Sequence, residues 1–173
     1  MAEIKKVYRQ SMPEMKLVGK CYKEEDKVGN TFAAQWGEWF QNDWFSPLRL
    51  AEGGSGEPFE DCSAYIGLSR CKDGEPYQYW IGVFMPMDAP VPAGYDSVSL
   101  KAGDIAVCWI YGKEPDIYFH CCLDRLKEEG YSWGADKDGV RWCFERYVCP
   151  RFTQPDEKGN VILDMCFYLN ADK

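Results

Sequence analysis

The chain has 173 residues, 46% of them hydrophobic, with 28 acidic against 20 basic side chains and a net charge of −8. That length suits one domain or two small halves around a shared core. The scattered Lys and Arg of so acidic a chain count against direct binding of nucleic acid, which needs a basic patch to displace counterions from phosphates.

No apolar run approaches the length needed to cross a bilayer. The charged stretch Met1 to Gln10 lacks the apolar run of a signal peptide. No membrane partner and a cytoplasmic location are therefore expected.

In chain order, Met15 to Tyr22 reads as the first strand, apolar at Leu17, Val18 and Cys21. Asn30 or Thr31 then caps a helix whose Phe32, Trp36, Trp39 and Phe40 recur at i, i+4, i+7 and i+8, and Pro47 helps to end it. A polar, Gly-rich loop runs from Ala51 to Asp61. Two apolar runs, Ala64 to Cys71 and Gln78 to Met85, flank Lys72-Asp73-Gly74-Glu75. Asp-Gly accepts the positive φ angles of a tight turn, so these runs are predicted to form a hairpin.

After the proline-bearing connector Met87 to Gly94, strands at Ser97 to Leu100 and Ile105 to Tyr111 lead to a helix from about Pro115 to Glu129. Pro suits the first turn of that helix and Gly130 its C-terminal stop. A strand at Arg141 to Cys149, a turn-rich loop around Asp156 to Asn160 and a strand at Val161 to Leu169 follow.

Strand, helix and two-strand hairpin thus occur twice, in pseudo-repeats of about residues 12–86 and 95–170 within a single domain, 1–173. The expected fold is α+β: duplicated β-α-β-β halves forming an antiparallel sheet, with helices on one face and a ligand groove between the halves. A filled interface between the halves is the alternative.

Nine cysteines are present, none spaced C-x-x-C, with a single His in the chain. No metal site and no cofactor are expected from that set. Small buried thiols in a reducing compartment account for the cysteines better than a disulfide framework does. On the second helix Phe119, Cys122, Leu123 and Leu126 form the apolar stripe. His120 then falls with Asp124, Lys127 and Glu128 on the face toward solvent, a poor place for a haem ligand or a catalytic base.

The chemistry concentrates in Arg141-Trp142-Cys143-Phe144-Glu145-Arg146-Tyr147-Val148. Alternate strand residues share a face, so Cys143, Glu145 and Tyr147 lie together, as do Trp109 and Tyr111 on their own strand. If both sets look into one cavity, the result is an aromatic cage around one acid. A buried, unpaired carboxylate is costly and raises its own pKa. A ligand cation relieves that cost, and each aromatic face adds about 0.5–2 kcal/mol by cation–π attraction. The alternative is that Glu145 faces water or pairs with a Lys or Arg of the sheet.

The series Val91-Pro92-Ala93-Gly94-Tyr95, Gly103-Asp104-Ile105-Ala106-Val107 closed by Gly112, and Phe144-Glu145-Arg146-Tyr147 resembles the gyrase-inhibitor-like (GyrI-like) effector-binding family. Tyr79-Trp80-Ile81-Gly82-Val83 and Asp156-Glu157 followed by Val161-Ile162-Leu163-Asp164 fit the same pattern. The resemblance covers nearly the whole chain. It implies a pseudo-twofold groove that binds cationic or planar, drug-like small molecules. Glu145 would approach the ligand cation, with Tyr147, Trp109, Tyr111 and Trp80 around it.

Some relatives carry a helix-turn-helix, for which a first strand at about Met15 leaves no room here. Standalone relatives imply a drug-binding protein, a modulator of a partner such as gyrase or a regulator, or a hydrolase that opens strained electrophilic genotoxins with the pocket Glu145 as general acid or base.

Overall fold

The computed structural model describes residues 1–51 and 59–170, without the side chains of Leu50 and Ala51. The strands are β1 (Glu3–Met12), β2 (Met15–Lys23), β3 (Tyr65–Lys72), β4 (Gln78–Met85), β5 (Asp96–Leu100), β6 (Gly103–Gly112), β7 (Val140–Tyr147) and β8 (Val161–Tyr168). The helices are α1 (Ala33–Gln41), α2 (Ser46–Ala51) and α3 (Leu123–Glu128), with a 3-10 turn at Asp116–Phe119. All the strands join one sheet in the order β1-β6-β8-β7-β3-β4-β2-β5, and every pairing is antiparallel. The α+β expectation therefore holds.

Exchanging β1 with β5, β2 with β6, β3 with β7 and β4 with β8 reverses this order without changing it. The sheet is thus pseudo-twofold, with its axis between β3 and β7. Each half lends a strand to the other: β1 precedes β2 but pairs with β6, and β5 precedes β6 but pairs with β2. β1 and β2 stand six strand positions apart, about 29 Å in a flat sheet. Only Pro13 and Glu14 link them, a span of at most about 11 Å. The sheet must therefore curl until its edges approach.

Its inner face buries Leu17, Leu68, Trp80, Phe84, Phe144 and Cys166 in one core. The opposed pair Gly19 and Gly82 permits tight bending, because a Cβ on Gly19 would lie 1.9 Å from the Ile81 carbonyl oxygen. A buried ionic knot ties this face together. Asp164 accepts from Arg146 Nε at 2.9 Å and from Arg151 Nε at 2.9 Å, and Arg151 Nη2 also reaches Asp61 at 2.7 Å.

The outer face carries the helices in two packets. α1 and α2 cover β2 and β4 through Trp39, Phe45 and Leu48. The 3-10 turn and α3 cover β6 and β8 through Ile117, Cys122 and Leu126. Between the packets lie β3 and β7.

Four local expectations change. A first strand, β1, precedes Met15. Its charges sit on a sheet edge and its partner is some hundred residues away, so no local alternation announced it. Pro47 does not end α1, which stops at Gln41; it sits in the first turn of α2, where a missing N–H costs nothing.

The second helix is broken, with His120 extended at φ −80°, ψ 122° between the 3-10 turn and α3. Helices this short depend on tertiary packing, and here the sheet takes up Ile117 and Leu126 while Phe119 is 73% exposed. His120 is half-buried, not turned to solvent. Of the predicted Gly-rich loop, residues 52–58 lie outside the described residues. Among the described residues no helix is long and apolar enough to cross a membrane.

Candidate functional site

Strand register decides which side chains can meet. Gly67 on β3 pairs with Glu145 on β7, which pairs with Met165 on β8; the flanking row is Ser69, Cys143 and Phe167. Register partners share a face, so Glu145 points outward into the gap between the helical packets. There lies a cavity of about 1070 Å³, lined by Phe32, Trp36, Tyr65, Tyr79, Tyr118, Glu145 and Tyr147 among others.

At its floor the Tyr79 and Tyr147 hydroxyls donate to the same Glu145 oxygen, Oε2, at 2.8 and 2.9 Å. Trp36 Nε1 donates to the Tyr79 hydroxyl at 3.0 Å. Phe32 stacks on Tyr79 with centroids 4.2 Å apart, and Trp36 meets Tyr147 edge-on at 4.9 Å. Each ring that positions the acid is thus itself held by α1 or the residue before it.

No Lys or Arg among the described residues forms an ion pair with Glu145, and none of them bonds its Oε1. Burial pushes the Glu145 carboxyl above the usual carboxylate range, with the Tyr79 and Tyr147 donors pulling the other way. Both tyrosines are raised well above their ordinary values, first by burial and then by the Glu145 charge. They therefore remain neutral donors. Gly67 makes the arrangement possible: a Cβ there would lie 2.3 Å from the Tyr79 hydroxyl and 2.6 Å from Glu145 Oε2.

Glu145 and Tyr147 lie in this cavity; the other three residues named from the sequence do not. Trp80 pairs with Leu68, which pairs with Phe144, so all three face the inner core. Trp109 shares the row of Asp164 and Arg146 on the inner face, edge-on to Tyr8 at 6.1 Å, with the Arg151 guanidinium 4.9 Å from its ring. Tyr111, two residues on, donates to Asp156 at 2.6 Å. The cage around the acid is instead built by Phe32, Trp36 and Tyr79, which sequence reasoning missed as site residues.

Two signals pointed to them. Trp36 stood in the helical stripe, and Gly67 inside an apolar strand run is the mark of a close approach. Among the described residues no group of three or more His, Cys, Asp or Glu is arranged to hold a metal. Cys21, Cys71, Cys108, Cys121, Cys122, Cys143, Cys149 and Cys166 are free thiols.

No family model and no curated protein matches the chain. Solved structures do. One is a Staphylococcus aureus MU50 protein described as a bacterial transcription regulation protein, at TM-score 0.62 and 18% identity over 96% of this chain and 99% of that one. A second is SAV2435 bound to tetraphenylphosphonium, at TM-score 0.64 and 18% identity over 96% and 94%. A third is the EcmrR C-terminal domain, at TM-score 0.50 and 11% identity over 96% and 98%. At these identities the likeness is one of fold, and the chain has the fold of these proteins.

Proposed function

We propose that the chain binds a hydrophobic organic cation with planar aromatic groups in the cavity over β3 and β7, with Glu145 as its counter-ion. One observation carries this reading. A carboxylate sits among aromatic rings, held by two neutral hydroxyls on one oxygen, with no cationic side chain paired to it. Such an acid lacks the partner that offsets its desolvation, and a ligand cation supplies that partner. The faces and edges of Phe32, Trp36, Tyr79 and Tyr147 give a flat cation contact area and cation–π attraction.

The fold likeness to SAV2435, whose structure holds tetraphenylphosphonium, supports the same choice of ligand. The net charge of −8 favours a cationic small molecule over nucleic acid as partner. The test is calorimetric titration with tetraphenylphosphonium and with triphenylphosphine oxide, a neutral compound of related shape. The cation should bind at least about tenfold more tightly. Equal affinities would remove Glu145 as counter-ion.

A further inference from the structure

Past Glu145 the cavity does not end. A smaller space of about 210 Å³ lies over β6 and β8, and Glu145 and Tyr118 line both it and the large cavity. Its other walls include Ile110, Ile117, Leu163, Met165 and Phe167. Apart from Phe167 they are aliphatic or thioether, where the large cavity is mostly aromatic.

Its opening follows from the broken second helix. The extended backbone at His120 separates the 3-10 turn from α3, and His120, Cys121 and Leu123 line the resulting gap. Met165 lies directly across from Glu145 on β8, flanked on both sides by β6 and β7. A side chain so placed under a helical packet would ordinarily be sealed, yet Met165 is only half-buried.

We propose that this space is a second subsite for the same ligand and takes one apolar arm, an aryl or branched alkyl group. The cavity would then select a cation with arms diverging from its charged centre over a single flat plate. The inference rests on the proposed function, since Glu145 is the shared point at which the charge would sit. The size fits: an apolar cavity of about 150 Å³ accepts benzene and stays dry when empty. Apolar walls give water few partners, and a flexible Met adapts to arms of differing shape. Tyr118, held at its hydroxyl by Glu114 at 2.5 Å, stands where the two spaces meet.

The experiment fills the subsite and compares two cations. Tetraphenylphosphonium has diverging arms, and N-methylacridinium is one plate that the large cavity alone can hold. Met165→Trp should weaken tetraphenylphosphonium by about tenfold or more, and N-methylacridinium by less than about twofold. Leu123→Trp, at a position 37% exposed at the rim, is the companion variant should Met165→Trp fail to fold, and the same pattern is expected of it.

Unchanged affinity for tetraphenylphosphonium in a folded variant would overturn the proposal, because the space would not be in use. Equal losses for both cations would overturn it as well, because the change would have acted through Glu145. Failure of the underlying reading looks different: the unaltered protein would then prefer neither cation over triphenylphosphine oxide.

Discussion

Replacing Glu145 by Gln removes one charge and little else. Both tyrosine hydroxyls bond the single oxygen Oε2, so a Gln with its carbonyl oxygen in that place accepts both. No paired guanidinium or ammonium is left behind, which is the usual cause of a large loss when a buried charge is deleted. The free protein should keep its melting temperature within a few degrees or gain slightly, since a desolvation cost disappears.

Ligand binding should respond differently. A cationic centre about 5 Å from the carboxylate, at an effective dielectric of about 20, gains roughly 3 kcal/mol. The cavity is partly open, so an expected loss of about tenfold to a hundredfold in cation affinity allows for screening. A neutral ligand of similar shape should lose much less.

The effect of pH has a defined sign. Burial holds the Glu145 pKa above its unfolded value, so the folded state binds the proton more readily than the unfolded chain. This group's contribution to stability therefore falls as pH rises from the ordinary carboxylate range through the raised pKa. Cation affinity moves the other way, weakening as pH is lowered through that same pKa, by up to about tenfold per unit. Both dependences should vanish in Glu145→Gln. Calorimetric titration across pH, with thermal melts of both proteins, reads all of this. Unchanged cation affinity in the variant, or a melt lowered by well over about ten degrees, would refute the reasoning; the latter would mean that Glu145 holds the fold through an ionic partner.

Gly67→Ala should disturb the site from beneath, because its Cβ meets both the Tyr79 hydroxyl and Glu145 Oε2, and Trp36 and Phe32 prevent Tyr79 from moving freely. A loss of about 1–3 kcal/mol in stability and weakened tetraphenylphosphonium binding are expected by denaturant melt and titration; wild-type affinity would contradict the placement. Asp164→Asn should be more damaging than Glu145→Gln, by about 1–3 kcal/mol, since it strips the charge-assisted bonds from buried Arg146 and partly buried Arg151 and leaves Asp61 as their one remaining shared carboxylate. Chemical denaturation compares the two, and equal stabilities would refute the contrast between an unpaired acid and a paired one.

Two carboxylates on neighbouring strands show what the sequence held and what it did not. Alternation alone placed Glu145 and Tyr147 on one face, and Arg146 on the other, because the period of a strand is local. The Asp-Gly turn likewise announced the β3–β4 hairpin, where the Glu75 N–H bonds the Lys72 carbonyl oxygen at 3.1 Å. Strand boundaries for β2 to β8 came within about two residues for the same reason. Apolar runs between Gly, Pro and Asp carry their own limits.

Which faces come together was not local. Trp109 alternates as Glu145 does, yet the β6–β8–β7 register sets it in the row of Asp164 and Arg146 on the inner face. A shift of one residue in that pairing would have reversed the result, and nothing within either strand specifies it. The edge strand β1, the break at His120 and the choice of Tyr79 over Trp80 are of the same kind. Each depends on a partner far along the chain, and the curled pseudo-twofold sheet decided it by bringing that partner within reach.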